Sequence, residues 1–403
     1  MDTDELAAWL RLALTPGVGS VSARKLLAAW GSPQAVFQQS QSALCQVVTR
    51  AQAQALCTEP PDWRAQSEAT ERWLDAAPAG AGRRLVTLGD RTYPAALLAT
   101  ADPPLMLFLL GRVDLLDTAE RKAPAPTDQG RAGNGWPGRA VAVVGSRNPT
   151  PQGRQDAEQF ARALCLAGCT IVSGLALGTD GAAHQGALQA AAESGAAPQL
   201  ATIAVIGTGI DRVYPSQHRE LAHRITECGL IVSEYPLGSA PLAANFPKRN
   251  RLIAGLSQGV LVVEAALRSG SLITARLAGE QGKDVFAIPG SIHSPLSHGC
   301  HALIRTGAKL VESARDVLEE LHWPTATTAA VADYQEQSEA TSAHPDGAAA
   351  LLRALGSDPA SLDALQARTG LDTATLQARL LELELAGEVG RLPGGLFQRV
   401  ARA

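Results

Sequence analysis

The chain has 403 residues and a formal net charge of −4 at pH 7. This length exceeds what one ordinary hydrophobic core needs, so we expect about two to four domains. The weakly acidic balance excludes polyanion binding through overall charge, so any such site must come from a local cluster of cations. The six cysteines form no CxxC pair, which favours reduced thiols over a disulfide framework or a zinc ribbon. Since no signal core or membrane-length apolar stretch is present, we expect a cytoplasmic protein without membrane contact.

Two segments rich in Pro, Gly, Ala, Thr and polar residues, 117–139 and 324–346, have the composition of linkers. They indicate three parts, which are a helical domain over 1–83, a central domain over 84–323 with 117–139 as an insertion, and a C-terminal module over 347–403.

The helical domain contains LTPGVGSVSARKLLAAWG at 14–31, with the Pro-Gly-x-Gly turn of a helix-hairpin-helix. The backbone amides of that motif hold a phosphate without reading base sequence, and Arg24 and Lys25 fit a supporting role. A helical turn used only for packing or for protein contacts explains the pattern equally well. Both interpretations stay open at this point.

The central domain alternates short β-branched runs with segments of helical length and period. The predicted strands cover 140–145, 169–174, 201–207, 230–234, 259–265 and 284–290. Thr150, Thr179 and Ser216 are predicted to cap helices between them. Continuous apolar strands alternating with helices predict a doubly wound, Rossmann-like parallel sheet, which the strand-like runs in 84–111 extend.

The C-terminal module has the pattern of three short helices and a hairpin, which predicts a winged helix-turn-helix. Its predicted recognition helix, 372–388, offers Arg379 against Asp372, Glu382, Glu384 and Glu388. A helix that enters the major groove needs the opposite balance of charge. We therefore expect a protein-interaction or packing role for this module.

Three predicted strand ends carry small residues, as the anion sites of open parallel sheets do. The candidate site residues there are Gly145, Ser146, Arg147, Ser173, Gly174, Gly207 and Gly209. Glycines after strands serve turns in any α/β protein, but three such ends on successive strands favour phosphate binding. Neither GxGxxG nor GxxxxGK[ST] is present, so no nucleotide cofactor is predicted.

A fourth such edge carries FPKRNRLIAGLS at 246–257, with Lys248, Arg249 and Arg251 in four positions and no Asp or Glu between 235 and 263. Cations at a helix start oppose the macrodipole, and a line of phosphates would offset that cost. The sequence supports two interpretations of Phe246 equally: its ring stacks on a base, or it belongs to the hydrophobic core.

Other titratable groups give weaker signals. His293, His298, Cys300 and His301 lie close together, but their spacing fits no standard zinc site, so no metal is predicted. Asp180, His184 and Glu264 lie near strand ends without a nucleophile beside them. Packing or hydrogen bonding of the glycine turns is therefore the favoured role of these three, and no catalytic residue is predicted.

Several long motifs closely resemble the DNA-processing protein A family, DprA or Smf, over about residues 84–323. They are GSRNPT, SGLALGTDGAAH, GTGIDRVYP, SEYPLGS, FPKRNRLIAGLS, VVEAALRSGSLITA, VFAIPG and GCHALIRTGA. The resemblance implies a non-enzymatic protein of natural transformation that binds single-stranded DNA, forms a homodimer, protects incoming strands and loads the RecA recombinase. It also implies a SAM-type N-terminal domain and a phosphate-binding pocket that includes Arg147, with Lys248, Arg249 and Asn250 as the Lys-Arg-Asn of its motif.

The chain departs from the family pattern at Ser216, His218 and His301, where some or many members carry Lys or Asn. The alternative interpretation is a nucleotide-processing enzyme of the Rossmann-like phosphoribohydrolase type. Such enzymes usually show PGGxGTxxE, and the corresponding EAALRSGSLITA lacks it.

Overall fold

The computed structural model describes residues 2–76, 81–121, 135–195, 199–323, 346–356, 359–392 and 394–399. The predicted linker lies outside the described residues except for its last position, and so does the middle of the predicted insertion. The described ends of that insertion are ordered. Trp136 is buried, and its indole N–H donates to the carbonyl oxygen of Thr92 at 2.7 Å.

Short helices build the N-terminal domain. They are α1 (Thr3–Leu14), α2 (Ser20–Trp30), α3 (Pro33–Phe37), α4 (Gln41–Leu44), α5 (Arg50–Leu56) and α6 (Trp63–Asp75). Four of these six helices, α1, α3, α4 and α5, have a side-chain cap at the N-terminus. The Asp2 side chain caps α1, and Thr49 and Gln52 form a capping box on α5. Trp73 of α6 packs edge-on against Phe108, so the apolar core of this domain continues into the neighbouring sheet.

The centre of the molecule is one nine-stranded sheet. Its strands are β1 (Gly82–Thr87), β2 (Met106–Gly111), β3 (Ala140–Val144), β4 (Thr170–Ser173), β5 (Thr202–Ile206), β6 (Leu230–Ser233), β7 (Gly259–Val262), β8 (Asp284–Ala287) and β9 (Lys309–Leu310). The spatial order is β1-β2-β6-β5-β4-β3-β7-β8-β9. Strands β3 to β9 pair in parallel, and β1 and β2 add an antiparallel extension beyond β6.

The six strands predicted for the central domain are all present, and the predicted extension by 84–111 is confirmed. All residues of β3 and β5 are buried, as expected for strands covered by helices on both faces. The covering helices are α7 (Ala95–Leu98), α8 (Asp114–Arg121), α9 (Pro151–Leu166), α10 (Thr179–Glu193), α11 (Arg219–Cys228), α12 (Asn245–Leu256), α13 (Ser271–Glu280), α14 (His298–Arg305) and α15 (Ala314–Glu320). The doubly wound Rossmann-like fold is thereby confirmed.

One of the three predicted helix caps is correct. The Thr150 hydroxyl accepts the amide N–H of Gly153 at 3.0 Å, and Pro151 opens α9. Thr179 is the first residue of α10, whose cap position is Gly178 at φ 80°, a backbone conformation that favours glycine. Ser216 opens a single 3₁₀ turn before α11 and makes no capping hydrogen bond.

The C-terminal module is a winged helix, as predicted. It comprises α16 (Asp346–Leu355), α17 (Leu362–Thr369), α18 (Thr373–Leu385) and the strands β10 (Ala360–Ser361), β11 (Val389–Leu392) and β12 (Leu396–Arg399). The wing formed by β11 and β12 contacts α9. On α18 the Asp372 carboxylate caps the helix, and Leu381 and Leu385 are 54% and 81% exposed. An exposed apolar face with few cations agrees with the expectation that this helix does not read DNA, which stays a prediction.

Within the ranges that the structure describes, none of the helices combines the length and the apolarity needed to cross a bilayer.

Candidate nucleic-acid interface

A cavity of about 520 Å³ opens at the carboxyl ends of β3, β4, β5 and β7. Strand β3 lies between β4 and β7, so chain order reverses direction there, and ligands of open α/β sheets bind at such a switch point. We call it the interface cavity. It is lined by Val144, Gly145, Arg147, Ala176, Asp180, Tyr214, Pro241, Ala243, Phe246, Pro247, Arg249, Asn250, Ile253, Ser269, Gly270, Ser271 and Thr274.

Arg147 and two aromatic rings form one side of the interface cavity. The Arg147 guanidinium lies 5.9 Å from the centroid of the Phe246 ring, and the ring of Tyr214 lies 5.5 Å from that of Phe246. Tyr214 is 49% exposed. The sequence analysis did not select Tyr214, although it follows β5 within one of the three glycine-rich strand ends. The arrangement offers a cation beside stacking surfaces, which suits a phosphate and an unpaired base.

Arg249 lies at the inner end of the interface cavity and is only 4% exposed. Its Nη1 donates to the carbonyl oxygen of Val205 at 2.7 Å. Burial lowers the pKa of this guanidinium, while the Asp180 carboxylate opposes the shift. Because a guanidinium is not deprotonated in proteins, Arg249 brings a positive charge to the inner end of the cavity, close to the Asp180 carboxylate.

Lys248 and Asn250 flank Arg249 on α12. Lys248 is exposed, and its Nζ lies 5.9 Å from the centroid of the Tyr235 ring. Asn250 lines the interface cavity, and its side-chain amide donates to the carbonyl oxygen of Gly270 at 3.3 Å. The ion pairs found among the described residues include neither Lys248 nor Arg147, so both cations can neutralise an external anion.

The sequence analysis expected no carboxylate to neutralise the cations of this run, but Arg251 has two carboxylate partners. Its Nη2 donates to Glu234, and its Nε lies 3.3 Å from Oδ2 of Asp102. Its side chain is 12% exposed and does not line the interface cavity. Glu234 precedes the acid-free interval by one residue, and Asp102 comes from a distant part of the chain. The expectation that no carboxylate neutralises this run of cations is therefore wrong for Arg251, while a phosphate contact by its side chain stays a prediction.

Two predicted glycines at the strand ends make room for side chains of α12. A Cβ atom on Gly174 would lie 1.7 Å from Nη1 of Arg249, and one on Gly207 would lie 3.1 Å from Cδ1 of Phe246. Arg249 in its present place thus excludes a side chain at Gly174, whereas a Cβ at Gly207 would make only a tight contact with Phe246. The sequence analysis had explained both glycines by close approach of a phosphate.

The remaining small residues at the strand ends also have internal roles. A Cβ on Gly145 would lie 2.6 Å from the Thr179 hydroxyl, and one on Gly209 would lie 2.6 Å from Oδ1 of Asp211. The Ser173 hydroxyl is buried and donates to the carbonyl oxygen of Val143 at 2.7 Å. The Ser146 hydroxyl accepts the amide N–H of Asn148 at 3.1 Å, which shapes the loop that carries Arg147.

The three candidate acid–base groups make internal hydrogen bonds, as the sequence analysis favoured; those of Glu264 and Asp180 hold loops of the site, and that of His184 joins α10 to the first residue of β5. The Glu264 carboxylate accepts from the amide and the hydroxyl of Thr150 at 2.9 and 2.7 Å, at the start of α9. Asp180 accepts the amide N–H of Ala176 at 3.3 Å. His184 bonds Thr202 at 2.7 Å, and burial lowers the pKa of His184 to about 3, so it is neutral.

The departures from the family pattern make local hydrogen bonds. Nδ1 of His218 lies 3.0 Å from the carbonyl oxygen of Leu175, and Nε2 of His301 lies 3.0 Å from that of Gly290. His298 bonds the carbonyl oxygen of Ile292 at 3.0 Å, and Cys300 is buried. Among the residues placed by the structure, no group of three or more His, Cys, Asp or Glu side chains could hold a metal ion.

Arg24 of the predicted helix-hairpin-helix faces inward. Its Nη1 lies 2.6 Å from Oδ1 of Asp102 and donates to the carbonyl oxygen of Pro103 at 2.9 Å. Of the two interpretations left open for this segment, packing describes Arg24. Lys25 is exposed, and a phosphate contact by its side chain stays a prediction.

Asp156 on α9 gives the first testable prediction. Burial raises the pKa of Asp156 to about 6, with a further contribution from the nearby Glu264 carboxylate. An unfolded Asp has a pKa of about 3.9, so at pH 7 the folded state carries an ionised carboxylate that is more costly than in the unfolded chain. We expect Asp156→Asn to raise the free energy of unfolding by about 1–2 kcal/mol at pH 7.

The advantage of Asp156→Asn should shrink with acidification. Between about pH 6 and pH 4 the folded wild type binds a proton that the unfolded chain lacks, so the wild type gains stability as the pH falls. Urea unfolding of both proteins at pH 7, 6, 5 and 4 measures the difference. A difference that is constant across this range would contradict the prediction.

The fold and the site define an α/β protein of the type that the sequence predicted. It combines a helical N-terminal domain, an extended Rossmann-like sheet with a cation-bearing cavity at its carboxyl edge, and a winged helix. The DNA recombination-mediator protein A family matches residues 133–322, and the DprA winged helix domain matches residues 335–395. The chain belongs to the DNA-processing protein A family, whose members are named DprA or Smf.

Individual relatives agree with this assignment. Protein Smf of Escherichia coli is 39% identical over 361 residues, which are 88% of this chain and 86% of the relative. DNA processing protein DprA of Streptococcus pneumoniae is 47% identical over 234 residues, 58% of this chain and 73% of the relative. The X-ray structure of the S. pneumoniae protein superposes with a TM-score of 0.60 at 35% identity and covers 79% of this chain and 98% of that one. The predicted family is confirmed.

Proposed function

We propose that the central domain binds single-stranded DNA at the interface cavity without catalysing a reaction on it. One observation carries this conclusion: Arg147 and Lys248 are exposed cations without an ion pair among the described residues, and both lie at a cavity with an aromatic pair. Arg147 lines the cavity beside the exposed Tyr214 and the half-buried Phe246, and Lys248 lies on α12 between two residues that line it. In the proposed complex Arg147 and Lys248 contact phosphates, and the buried Arg249 adds positive charge from the inner end.

The aromatic pair favours a single strand over a duplex. Tyr214 and Phe246 can stack only on bases that are not already stacked and paired inside a helix. A cavity of about 520 Å³ admits a nucleotide unit of a flexible strand but not the side of a duplex. Stacking does not depend on base identity, so little sequence preference is expected.

The proposal extends to the partners and the pathway implied by the family. DNA binding without base preference supports a role in protecting incoming single strands during natural transformation, and membership in a recombination-mediator family supports the loading of the RecA recombinase. A homodimer is also part of the proposal. Its support is the edge strand β9, which pairs on one side only among the described strands and exposes 44% of Leu310.

A salt titration tests the binding proposal. We expect fluorescence anisotropy to show tighter binding of a labelled oligo-dT than of a hairpin duplex of equal charge. The logarithm of the affinity for oligo-dT should fall with the logarithm of the salt concentration with a slope of about −1.4, since each of the two phosphate contacts, by Arg147 and Lys248, contributes about 0.7 for a single strand. Equal or tighter binding of the duplex would contradict the proposal.

The alternative enzyme is tested in the same samples. Incubation with nucleoside monophosphates should leave them intact, because the groups nearest the interface cavity with acid–base chemistry, Asp180 and Glu264, are engaged in loop hydrogen bonds. Chromatography of the reaction mixture detects any free base, and its release would favour the phosphoribohydrolase interpretation.

A further inference from the structure

Four charged side chains link the helical domain to the helix that carries the candidate site. Arg24 of α2 lies 2.6 Å from Oδ1 of Asp102, and the other oxygen of Asp102 lies 3.3 Å from Nε of Arg251 on α12. Arg251 in turn donates to Glu234 at the end of β6. The side chains of Arg24 and Asp102 are 19% and 34% exposed, and those of Arg251 and Glu234 are 12% and 6% exposed, so the Arg251–Glu234 end of the network is the more deeply buried one.

Glu234 also interacts with a second cation of α12. Lys248 and Arg251 are three positions apart and share a face of the helix. Burial raises the pKa of Glu234, and the charges of Arg251 first and Lys248 second oppose that shift. Lys248 is therefore within electrostatic range of the same carboxylate that Arg251 neutralises. Because two cations act on one carboxylate, the position of Arg251 decides how strongly Glu234 attracts the Lys248 ammonium.

We propose that Arg24 is a positioning residue of the DNA-binding site: by neutralising Asp102 it leaves Arg251 on Glu234 and Lys248 free to bind phosphate. The inference rests on the proposed function, because it concerns the same site. In this proposal the helical domain affects DNA binding by the central domain through Arg24, although Arg24 itself does not contact DNA.

The reason lies in the balance of charge. With Arg24 present, the four groups carry two positive and two negative charges. Without it, Asp102 and Glu234 compete for Arg251, and the nearly buried Glu234 is left incompletely neutralised. An uncompensated charge in such surroundings is costly, so the closest remaining cation, Lys248, is drawn to Glu234 and is lost to DNA.

Substitutions of Arg24 and of Asp102, the two partners of one ion pair, should therefore change the affinity for DNA differently. We expect Arg24→Met to lower the affinity for oligo-dT roughly fivefold near 0.1 M salt and to reduce the salt slope by about 0.7, the amount for one phosphate contact. Asp102→Asn removes the competing carboxylate and should bind at least as tightly as the wild type. The double variant Arg24→Met/Asp102→Asn should recover wild-type affinity and slope.

A purely structural role of the ion pair predicts another pattern. In that case both single variants bind more weakly and the double variant recovers nothing, because the pair is broken in all three. Arg162→Met serves as the matched control, since Arg162 pairs with Glu193 at 2.7 Å near the C-terminal end of α10, away from the interface cavity. This control should bind like the wild type.

Further measurements keep the inference testable. Circular dichroism and urea unfolding identify any variant that fails to fold, and Arg24→Gln then replaces Arg24→Met. In the Arg24→Met background, Lys248→Ala should change the affinity by less than about twofold, because Lys248 is already engaged. Unchanged affinity and slope in Arg24→Met, alongside a loss in Lys248→Ala alone, would overturn the inference and leave the proposed function standing. If Lys248→Ala alone has no effect, Lys248 does not contact DNA. That result would contradict this part of the proposed function and would also overturn the inference.

Discussion

Gly174→Ala is expected to destabilise the protein by about 2–4 kcal/mol and to remove most of its affinity for single-stranded DNA. A Cβ at this position would lie 1.7 Å from Nη1 and 2.6 Å from Cζ of Arg249, so the two groups cannot occupy their present places together. The guanidinium would have to move, lose its hydrogen bond to Val205 and leave a buried charge without its partner. Urea unfolding and anisotropy with oligo-dT measure the two effects.

Two further variants separate this mechanism from a general effect of adding a methyl group. Gly279 lies in α13, and a Cβ there would meet no atom within 4 Å, so Gly279→Ala should be neutral or slightly stabilising. In an Arg249→Met background the clash partner is smaller and uncharged, so Gly174→Ala should cost much less than in the wild type. Wild-type stability and binding in Gly174→Ala alone would show that Arg249 does not need the space above Gly174.

The fold could be predicted from the sequence because its strands are continuous apolar runs. Each of the six predicted strands of the central domain is a β-branched or small apolar stretch between segments of helical length, and burial on both faces leaves few other arrangements. The helix caps were less predictable. Thr179 has the residue type of a cap, but Gly178 takes the cap position because the backbone there needs a positive φ.

The position of the candidate site could be predicted from the sequence, but the roles of its individual residues could not. Glycines at strand ends indicated the correct edge of the sheet, yet the space above Gly174 and Gly207 is filled by Arg249 and Phe246 of α12. That arrangement depends on how a helix docks, which local sequence does not determine. A count of nearby acids likewise could not find Asp102, because it reaches Arg251 only through the tertiary fold.

The double variant Arg147→Ala/Lys248→Ala is expected to lose roughly fiftyfold in affinity for oligo-dT near 0.1 M salt, with each single variant losing roughly five- to tenfold. Both side chains are exposed, and neither is among the ion pairs of the described residues, so removing them breaks no ion pair there. The salt slope should fall by about 0.7 for each cation removed, because each releases one phosphate contact. The free energy of unfolding should stay within about 0.5 kcal/mol of the wild type.

A matched control removes the same charge elsewhere. Arg224 and Arg305 are exposed cations on α11 and α14 that do not line the interface cavity and are not among the ion pairs of the described residues, so Arg224→Ala/Arg305→Ala tests the effect of net charge alone. We expect this control to keep most of the affinity and the slope of the wild type. Equal losses in the two double variants would mean that DNA responds to the general field of the protein. A loss confined to Arg147 and Lys248, at unchanged stability, would distinguish a phosphate contact at the surface from the internal defect expected of Gly174→Ala.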